Sequence, residues 1–123
     1  MGRRTRYADG SGTITVDGSA LALPLEIAAS RRARGRGLLG RTGIEGVLLL
    51  TPAHSIHTFG MRFAVDVAYL DRELRVLDVH TVAPNRLPLP RPRARHVLEA
   101  EVGGWSRWGV RRGVLLRINS LAP

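Results

Sequence analysis

Short segments of alternating apolar and polar residues, separated by glycine and proline, make up most of the sequence. In the segment Val65–Leu70 (VDVAYL), successive residues point to opposite sides of an extended strand, and both sides are largely apolar. This pattern predicts a central strand that is buried on both faces. Residues 71–74 (DREL) are a turn signal, so Val65–Leu70 and residues 75–82 are predicted to pair as a hairpin.

Strand character recurs in other parts of the chain. Asp17 and Gly18 provide a turn between the first two predicted strands. Pro24 has no N–H group to donate, which predicts that the second strand lies at a sheet edge or contains a bulge. The predicted strands are residues 13–16, 21–28, 47–50, 96–102 and 114–119, with residues 54–58 as a further candidate.

Helical signals are few and short. Ser30 is a suitable N-cap for a helix that ends near residue 39, although two glycines weaken its interior. Residues 105–109 predict one helical turn, and residues 83–95, with four prolines and four arginines, predict an irregular surface loop. About seven short strands with one short helix predict a mainly β fold, either an antiparallel sandwich or a partly open barrel.

The length of 123 residues fits one domain with a hydrophobic core. Residues 1–12 are polar and rich in glycine, which predicts a flexible N-terminal segment, and residues 13–120 are predicted to form a single β-rich domain. The chain has no cysteine, which excludes disulfide bonds, a thiol nucleophile and thiolate ligands for zinc. Its apolar runs are too short to span a bilayer, so we expect no membrane insertion and a cytoplasmic location.

The chain is strongly basic, with a formal net charge of +9. Its 19 basic residues, leaving histidine aside, are all arginine. The lack of lysine indicates a G+C-rich genome, which explains the charge without a binding role. The alternative is that Arg86, Arg91, Arg93 and Arg95 bind phosphate groups, giving weak and non-specific binding to polyanions at low salt.

Three short motifs do not meet the structural requirements of the sites they resemble. Residues 35–40 match GxGxxG, but they fall late in the predicted helix, and the acidic residue that a dinucleotide site needs is absent downstream. His54 and His57 are three positions apart, and on a strand such residues face opposite sides. Ser106 lies in a sequence like a nucleophile elbow, but no Asp or His follows it. We therefore predict no catalytic residue, no metal site and no cofactor.

Asp66 and Glu99 are the acidic residues with the most informative surroundings. Asp66 lies on a strand with two apolar faces, so its carboxylate needs buried partners. It either binds backbone N–H groups as a structural group or serves as an acid in a pocket, and the first interpretation is favoured. Glu99 and Glu101 share one side of their strand, which is typical of a solvent-exposed face. The candidate ligand site is a shallow polar pocket near His57, Asp66 and Glu99.

Five stretches occur in a fixed order along the chain: residues 36–41 (RGLLGR), 46–49 (GVLL), 57–67 (HTFGMRFAVDV), 97–99 (VLE) and 103–113. This ordered set resembles the domain of unknown function 192 family of bacterial and archaeal proteins. The resemblance covers about residues 21–116 and implies a small, mainly β domain with a short helix after its first strands. It implies no activity, because the family is uncharacterised.

The chain departs from the common pattern of that family in three places. Many members carry a Lys-Asn-Thr stretch where this chain has Phe59-Gly60-Met61, and a proline where it has Ala64. Many members also have Gly-Asp where this chain has Gly113-Val114. The resemblance therefore implies that a ligand site built on those polar groups is weakened or different here.

Three hypotheses of function follow from these observations. The leading one is a non-catalytic binding or accessory module, with a small polar ligand or a protein as its partner. The second is a polyanion or nucleic-acid binder that uses the arginine-rich loop. The third is a small carbohydrate-active or hydrolase-like enzyme that uses Asp66 and Glu99 as paired carboxylates, which requires the two side chains to face each other.

Overall fold

The computed structural model describes residues 6–120, and the strands and helices in that range follow the predicted order closely. The predicted hairpin, the buried strand at residues 47–50 and the irregular loop at residues 83–95 are all confirmed. The turn predicted at residues 105–109 is a second short helix. The elements are β1 (Gly10–Val16), β2 (Ala22–Ala28), α1 (Arg31–Arg36), β3 (Val47–Leu50), β4 (Val65–Leu70), β5 (Val76–Val82), β6 (His96–Glu101), α2 (Gly104–Trp108) and β7 (Leu116–Ser120).

The seven strands form one sheet in the order β5-β4-β6-β3-β2-β1-β7. Neighbouring strands are antiparallel except β2 and β3, which run parallel because α1 lies on the crossover between them. The two ends of the sheet meet at a bridge between Arg75 and Leu115, and the Val76 N–H donates to the Val114 carbonyl oxygen over 2.8 Å. The sheet is therefore curled into a partly open barrel, as one of the two predicted architectures requires.

The predicted flexible segment at residues 1–12 overlaps the first strand. Residues 1–5 lie outside the described residues, and β1 begins at Gly10, where it pairs with Ile27 of β2. A Cβ atom at Gly12 would collide with the Asn119 carbonyl oxygen of β7. Glycine at this position thus allows two backbones to approach closely, so it belongs to the sheet.

The prediction that Pro24 marks an edge strand or a bulge is wrong. Strand β2 lies between β1 and β3, and its register with β1 is regular through Pro24. Pairing with β3 begins only at Leu25, opposite Val47. One side of β2 therefore has no strand partner at Pro24, and the missing N–H group is tolerated there.

The helix at Ser30 forms as predicted but is shorter. The Ser30 hydroxyl oxygen accepts from the Ala33 N–H over 3.1 Å, which is an N-cap bond. The helix ends at Arg36 rather than near residue 39, because Gly37 adopts a positive φ of 45°.

The further strand candidate at residues 54–58 is wrong, since these residues form an irregular loop. Their backbone bonds go to the arginine-rich loop instead of to a strand ladder. The Arg91 N–H donates to the His54 carbonyl oxygen over 2.8 Å, and the Thr58 N–H donates to the Arg86 carbonyl oxygen over 2.9 Å. The two loops therefore hold each other in place.

Apolar side chains pack on both sides of the sheet. The inner core lies inside the curl and takes residues from every strand, including Val76 near one sheet edge and Leu116 at the other. The outer core lies on the opposite side of β3, β6, β4 and β5, and is covered by α1 and by loop residues such as Ile56 and Met61. No helix within residues 6–120 is long and apolar enough to cross a bilayer.

Candidate functional site

The register of β4 and β6 decides how the two candidate carboxylates are placed. Val67 pairs with Glu99, and Asp66 pairs with Ala100. Paired residues point to the same side of a sheet, whereas neighbours in one strand point to opposite sides. Asp66 therefore faces the inner core, and Glu99 faces the outer core. This placement contradicts the hypothesis of an enzyme that uses Asp66 and Glu99 as paired carboxylates.

Asp66 is a buried carboxylate whose partners come from neighbouring elements. The Thr81 hydroxyl group on β5 donates to Oδ1 over 2.7 Å. The backbone N–H groups of Gly103 and Trp105 donate to Oδ2 over 3.0 and 3.5 Å. These donors lie at the start of α2, whose N-cap residue is a glycine without a side-chain cap. Asp66 thus serves as the cap for α2.

Glu99 lies at the centre of β6, between β3 and β4, and is only 3% exposed. The prediction of a solvent-exposed face is wrong at this residue, because the loops and α1 cover this side of the sheet. Glu101 is the last residue of the same strand and is exposed, as expected. Burial raises the pKa of the Glu99 carboxyl group to about 7, against a smaller opposing effect of Arg41. No residue between 6 and 120 donates a hydrogen bond to this carboxyl group.

A cavity of about 250 Å³ lies over Glu99. One wall is the end of α1 with the glycine-rich residues that follow it, and the other is the loop after β3. The apolar lining comes from Leu38, Leu50, Ile56 and Met61, which also belong to the outer core. The polar and charged side chains in the lining are Arg34, Arg36, His54, Ser55, His57 and Glu99.

The cavity brings together two of the three predicted ligand-binding residues. His57 and Glu99 both line it, whereas Asp66 does not. The His57 ring stacks on Phe59 with 5.2 Å between ring centroids, and the Phe59 N–H donates to its Nδ1 over 3.3 Å. That bond places the proton of a neutral ring on Nε2, which leaves an N–H donor for other partners. Within residues 6–120, no three His, Cys, Asp or Glu side chains come together as metal ligands.

Arg34 is a site residue that no sequence pattern distinguishes from the other arginines. Its Nη1 donates to the Pro52 carbonyl oxygen over 3.0 Å, which holds the guanidinium group against the loop after β3. Its Nε is buried and has no acceptor among residues 6–120. The ion pairs formed within that range include neither Arg34 nor Arg36, whereas Arg41 is paired with Glu26 at 2.7 Å.

The four arginines of the predicted polyanion site are not equivalent. Arg91 donates from Nε and Nη2 to Asp78 over 3.1 and 2.8 Å, and its guanidinium group lies 4.7 Å from the centroid of the Tyr69 ring. It is therefore tied to the protein surface. Arg86, Arg93 and Arg95 are exposed.

Four of the five stretches that carried the family resemblance contribute to this cavity or to its support. Residues 36–41 and 57–67 supply its walls, residues 97–99 supply Glu99, and residues 46–49 form the neighbouring strand β3. A comparison with known families agrees: the DUF192 family model, described as Uncharacterized ACR, matches residues 12–118. The chain belongs to the DUF192 family.

Two proteins are similar to this chain in sequence, and their names give no activity. A UPF0127 protein from Pyrococcus horikoshii is 34% identical over 84 residues, covering 64% of this chain and 73% of the relative. A UPF0127 protein from Pyrococcus abyssi is 33% identical over 84 residues, covering 64% of this chain and 72% of the relative.

Two crystal structures share the DUF192 fold seen here. A proposed transcription regulator from Sinorhizobium meliloti has a TM-score of 0.79 at 17% identity, over 93% of this chain and 98% of that one. A protein of unknown function from Novosphingobium aromaticivorans has a TM-score of 0.73 at 21% identity, over 87% of this chain and 84% of that one. At these identities the likeness concerns the fold alone.

Proposed function

We propose that this DUF192 domain is a non-catalytic, cytoplasmic binding module whose cavity takes a small polar ligand. His57 and Glu99 are its ligand-contacting side chains. The observation that carries the proposal is the Glu99 carboxyl group, which is almost fully buried, faces the cavity and has no hydrogen-bond donor among residues 6–120.

A carboxyl group in that position is costly for the fold. Buried polar groups are almost always hydrogen-bonded, and an ionised group without a partner is the most expensive case. Asp66 in the same sheet shows the usual solution, with a hydroxyl group and two backbone N–H groups as donors. Glu99 lacks such donors among the described residues, which supports a role in which a ligand supplies them.

The size and lining of the cavity favour binding of a small molecule. Its volume of about 250 Å³ is slightly below the range of pockets that hold drug-sized ligands, about 300–1,000 Å³. Apolar walls with a few polar groups are typical of such pockets. The cavity contains Glu99 but not Asp66, so it lacks the carboxylate pair of the enzyme hypothesis.

A substitution at Gly35 tests whether the cavity is the binding site. Gly35 lines the cavity, has an ordinary φ, and has open space where a Cβ atom would stand, so Gly35→Phe should place a ring in the cavity without backbone strain. We expect amide resonances of residues 34–39 and 53–57 to shift when a library of small polar metabolites is added to the wild type. The same metabolites should cause no shifts in Gly35→Phe.

Gly43→Phe is the matched control, because Gly43 also has open space at its Cβ position and lies outside the cavity. It should retain the shifts seen with the wild type. If no metabolite shifts these resonances, or if Gly35→Phe binds as well as Gly43→Phe does, the cavity is not a ligand site.

Polyanion binding is the second candidate function, supported by the exposed side chains of Arg86, Arg93 and Arg95 and by the net charge of +9. We expect weak binding to duplex DNA of any sequence at about 50 mM salt and its loss at about 200 mM, because it depends on the release of counterions. Fluorescence anisotropy with labelled DNA measures both.

The double variant Arg93→Ser/Arg95→Ser should weaken DNA binding more than Arg111→Ser/Arg112→Ser, which removes the same charge from another exposed segment. Equal weakening would show that the loop is not a site. Binding that persists at 200 mM salt, or that favours one sequence, would show a dedicated nucleic-acid function instead.

A further inference from the structure

The cavity wall carries charged groups of opposite sign that form no direct ion pair with one another or with other groups within residues 6–120. Glu99 supplies a carboxyl group without a hydrogen-bond donor, and Arg34 supplies a guanidinium group that forms no direct ion pair, although the Asp9 carboxylate lies near enough to interact with it. Arg34 is held by its bond to the Pro52 carbonyl oxygen, so its charge stays at the cavity. A cation alone would not pair with Arg34, and an anion alone would be repelled by Glu99 when its carboxyl group is ionised.

The rest of the lining is mixed: Arg36, His54, Ser55 and His57 are polar or charged, and the other side chains are apolar. Leu38, Leu50, Ile56 and Met61 are each less than 10% exposed and lie in the outer core. A ligand that matches this lining has one cationic group, one anionic group and an apolar part. The cavity volume of about 250 Å³ limits that ligand to a few heavy atoms beyond its two charged groups.

We propose that the ligand is a free amino acid with an apolar side chain, or a zwitterion of the same form. Its ammonium group donates to Glu99, its carboxylate accepts from Arg34, and its side chain packs against the apolar lining. This inference rests on the proposed ligand-binding role of the cavity. Charge-assisted hydrogen bonds of both kinds are among the strongest that a small ligand forms, and a buried site strengthens them.

Leucine and two of its analogues test the inference on the wild-type protein. 4-Methylpentanoate lacks the ammonium group of leucine, and 3-methylbutylamine lacks its carboxylate. Isothermal titration at pH 8, where most of the Glu99 carboxyl group is ionised, gives the affinity of each. We expect L-leucine to bind and each analogue to bind at least about tenfold more weakly, because each leaves one charged side chain of the cavity without its partner.

Two variants assign the contacts. Glu99→Gln should weaken leucine binding by about tenfold or more, whereas 4-methylpentanoate should bind at least as tightly as before, since that probe has no ammonium group and is no longer repelled by the carboxylate. Arg34→Gln should weaken the binding of leucine and of 4-methylpentanoate but not the binding of 3-methylbutylamine. Arg32→Gln is the control, because Arg32 lies on the same helix, is exposed and does not line the cavity.

The outcomes separate this inference from the proposed function. If other metabolites shift the cavity resonances and are blocked by Gly35→Phe, while leucine and its analogues do not bind, the ligand class is wrong and the binding role stands. If leucine binds Glu99→Gln and Arg34→Gln as tightly as the wild type, its site lies elsewhere and the inference is wrong. If no compound binds in the cavity, both proposals fail.

Discussion

Glu99→Gln should make the protein more stable at pH 8, although the substitution changes a buried residue in a central strand. Burial raises the pKa of the Glu99 carboxyl group from 4.5 to about 7, because it disfavours the charged form. Glutamine has nearly the same shape and no charge to bury. We expect the free energy of unfolding of Glu99→Gln to exceed that of the wild type by about 3 kcal/mol.

The sign of this effect follows from proton binding. Between pH 4.5 and about 7, the unfolded chain has lost the Glu99 proton while the folded protein retains it. Stability contributed by this group is therefore full below pH 4.5 and falls as the pH rises through that window. The advantage of Glu99→Gln should be largest above pH 7 and should disappear near pH 4.

Other groups titrate in the same range, so the quantity to compare is the difference between variant and wild type. Burial lowers the pKa of His96 from its ordinary value of 6.5 to about 4. The contribution of His96 to the stability of the fold therefore increases as the pH rises from 4 to 6.5. That contribution is common to both proteins and cancels. The charged and titratable side chains nearest to Glu99, which the variant keeps, are Arg34, Arg36, Arg41, His54, His57 and Tyr69.

Urea unfolding followed by tryptophan fluorescence at pH 4, 6 and 8 measures the difference. Glu101→Gln is the matched control, since Glu101 lies on the same strand but is exposed, and it should stay within about 0.5 kcal/mol of the wild type at every pH. A Glu99→Gln protein that is less stable than the wild type at pH 8 would show that the carboxylate has a stabilising partner, and the cavity would lose its main support.

Asp66→Asn should have the opposite effect, because this carboxylate has the partners that Glu99 lacks. It caps α2 through the Gly103 and Trp105 N–H groups and accepts from the Thr81 hydroxyl group. Asparagine keeps the shape but removes the charge that strengthens these bonds. We expect Asp66→Asn to lower the free energy of unfolding by about 1–3 kcal/mol, and Asp66→Ala to lower it at least as much, since buried donors are left unpaired.

The same urea experiment at pH 7 tests this prediction. Glu101→Ala serves as the control, because its ion pair with Arg107, at 3.2 Å, joins side chains that are 53% and 61% exposed. Such a surface pair contributes little, so the control should lie within about 0.5 kcal/mol of the wild type. An Asp66→Asn protein that is as stable as the wild type would show that the capping bonds do not hold α2.

The strands were predictable where the pattern of apolar and polar residues and the positions of turn residues indicate the same boundaries. Val65–Leu70 has two apolar faces because it is a central strand, and residues 71–74 turn the chain as expected. The partly open barrel was less predictable than the strands, because closure depends on long-range pairs such as Arg75 with Leu115. The edge-strand prediction at Pro24 was wrong for the same reason. Whether Pro24 has a strand partner depends on where β3 begins to pair with β2, and β3 lies about 20 residues further along the chain.

The candidate site was predictable only in part. His57 and Glu99 could be singled out by residue type, both lie in stretches that carry the family resemblance, and both line the cavity. Alternation along β6 suggested an exposed side at Glu99, because it cannot show that α1 and a loop cover that side. Asp66 and Glu99 could not be separated until the register of β4 and β6 was known. No sequence pattern indicated that Arg34 is a site residue, because the chain has 19 arginines and nothing distinguishes this one from the others.

A desolvated Glu99 carboxyl group without a partner in the protein should titrate well above its ordinary pKa. The ¹³Cδ resonance of Glu99, followed by NMR in the ligand-free protein from pH 3 to 9, measures the pKa of this carboxyl group directly. A midpoint near 7 is the expected result, about 2.5 units above the ordinary value of 4.5. A midpoint at or below 4.5 would contradict it, because the carboxyl group would then be hydrated or already paired within the protein.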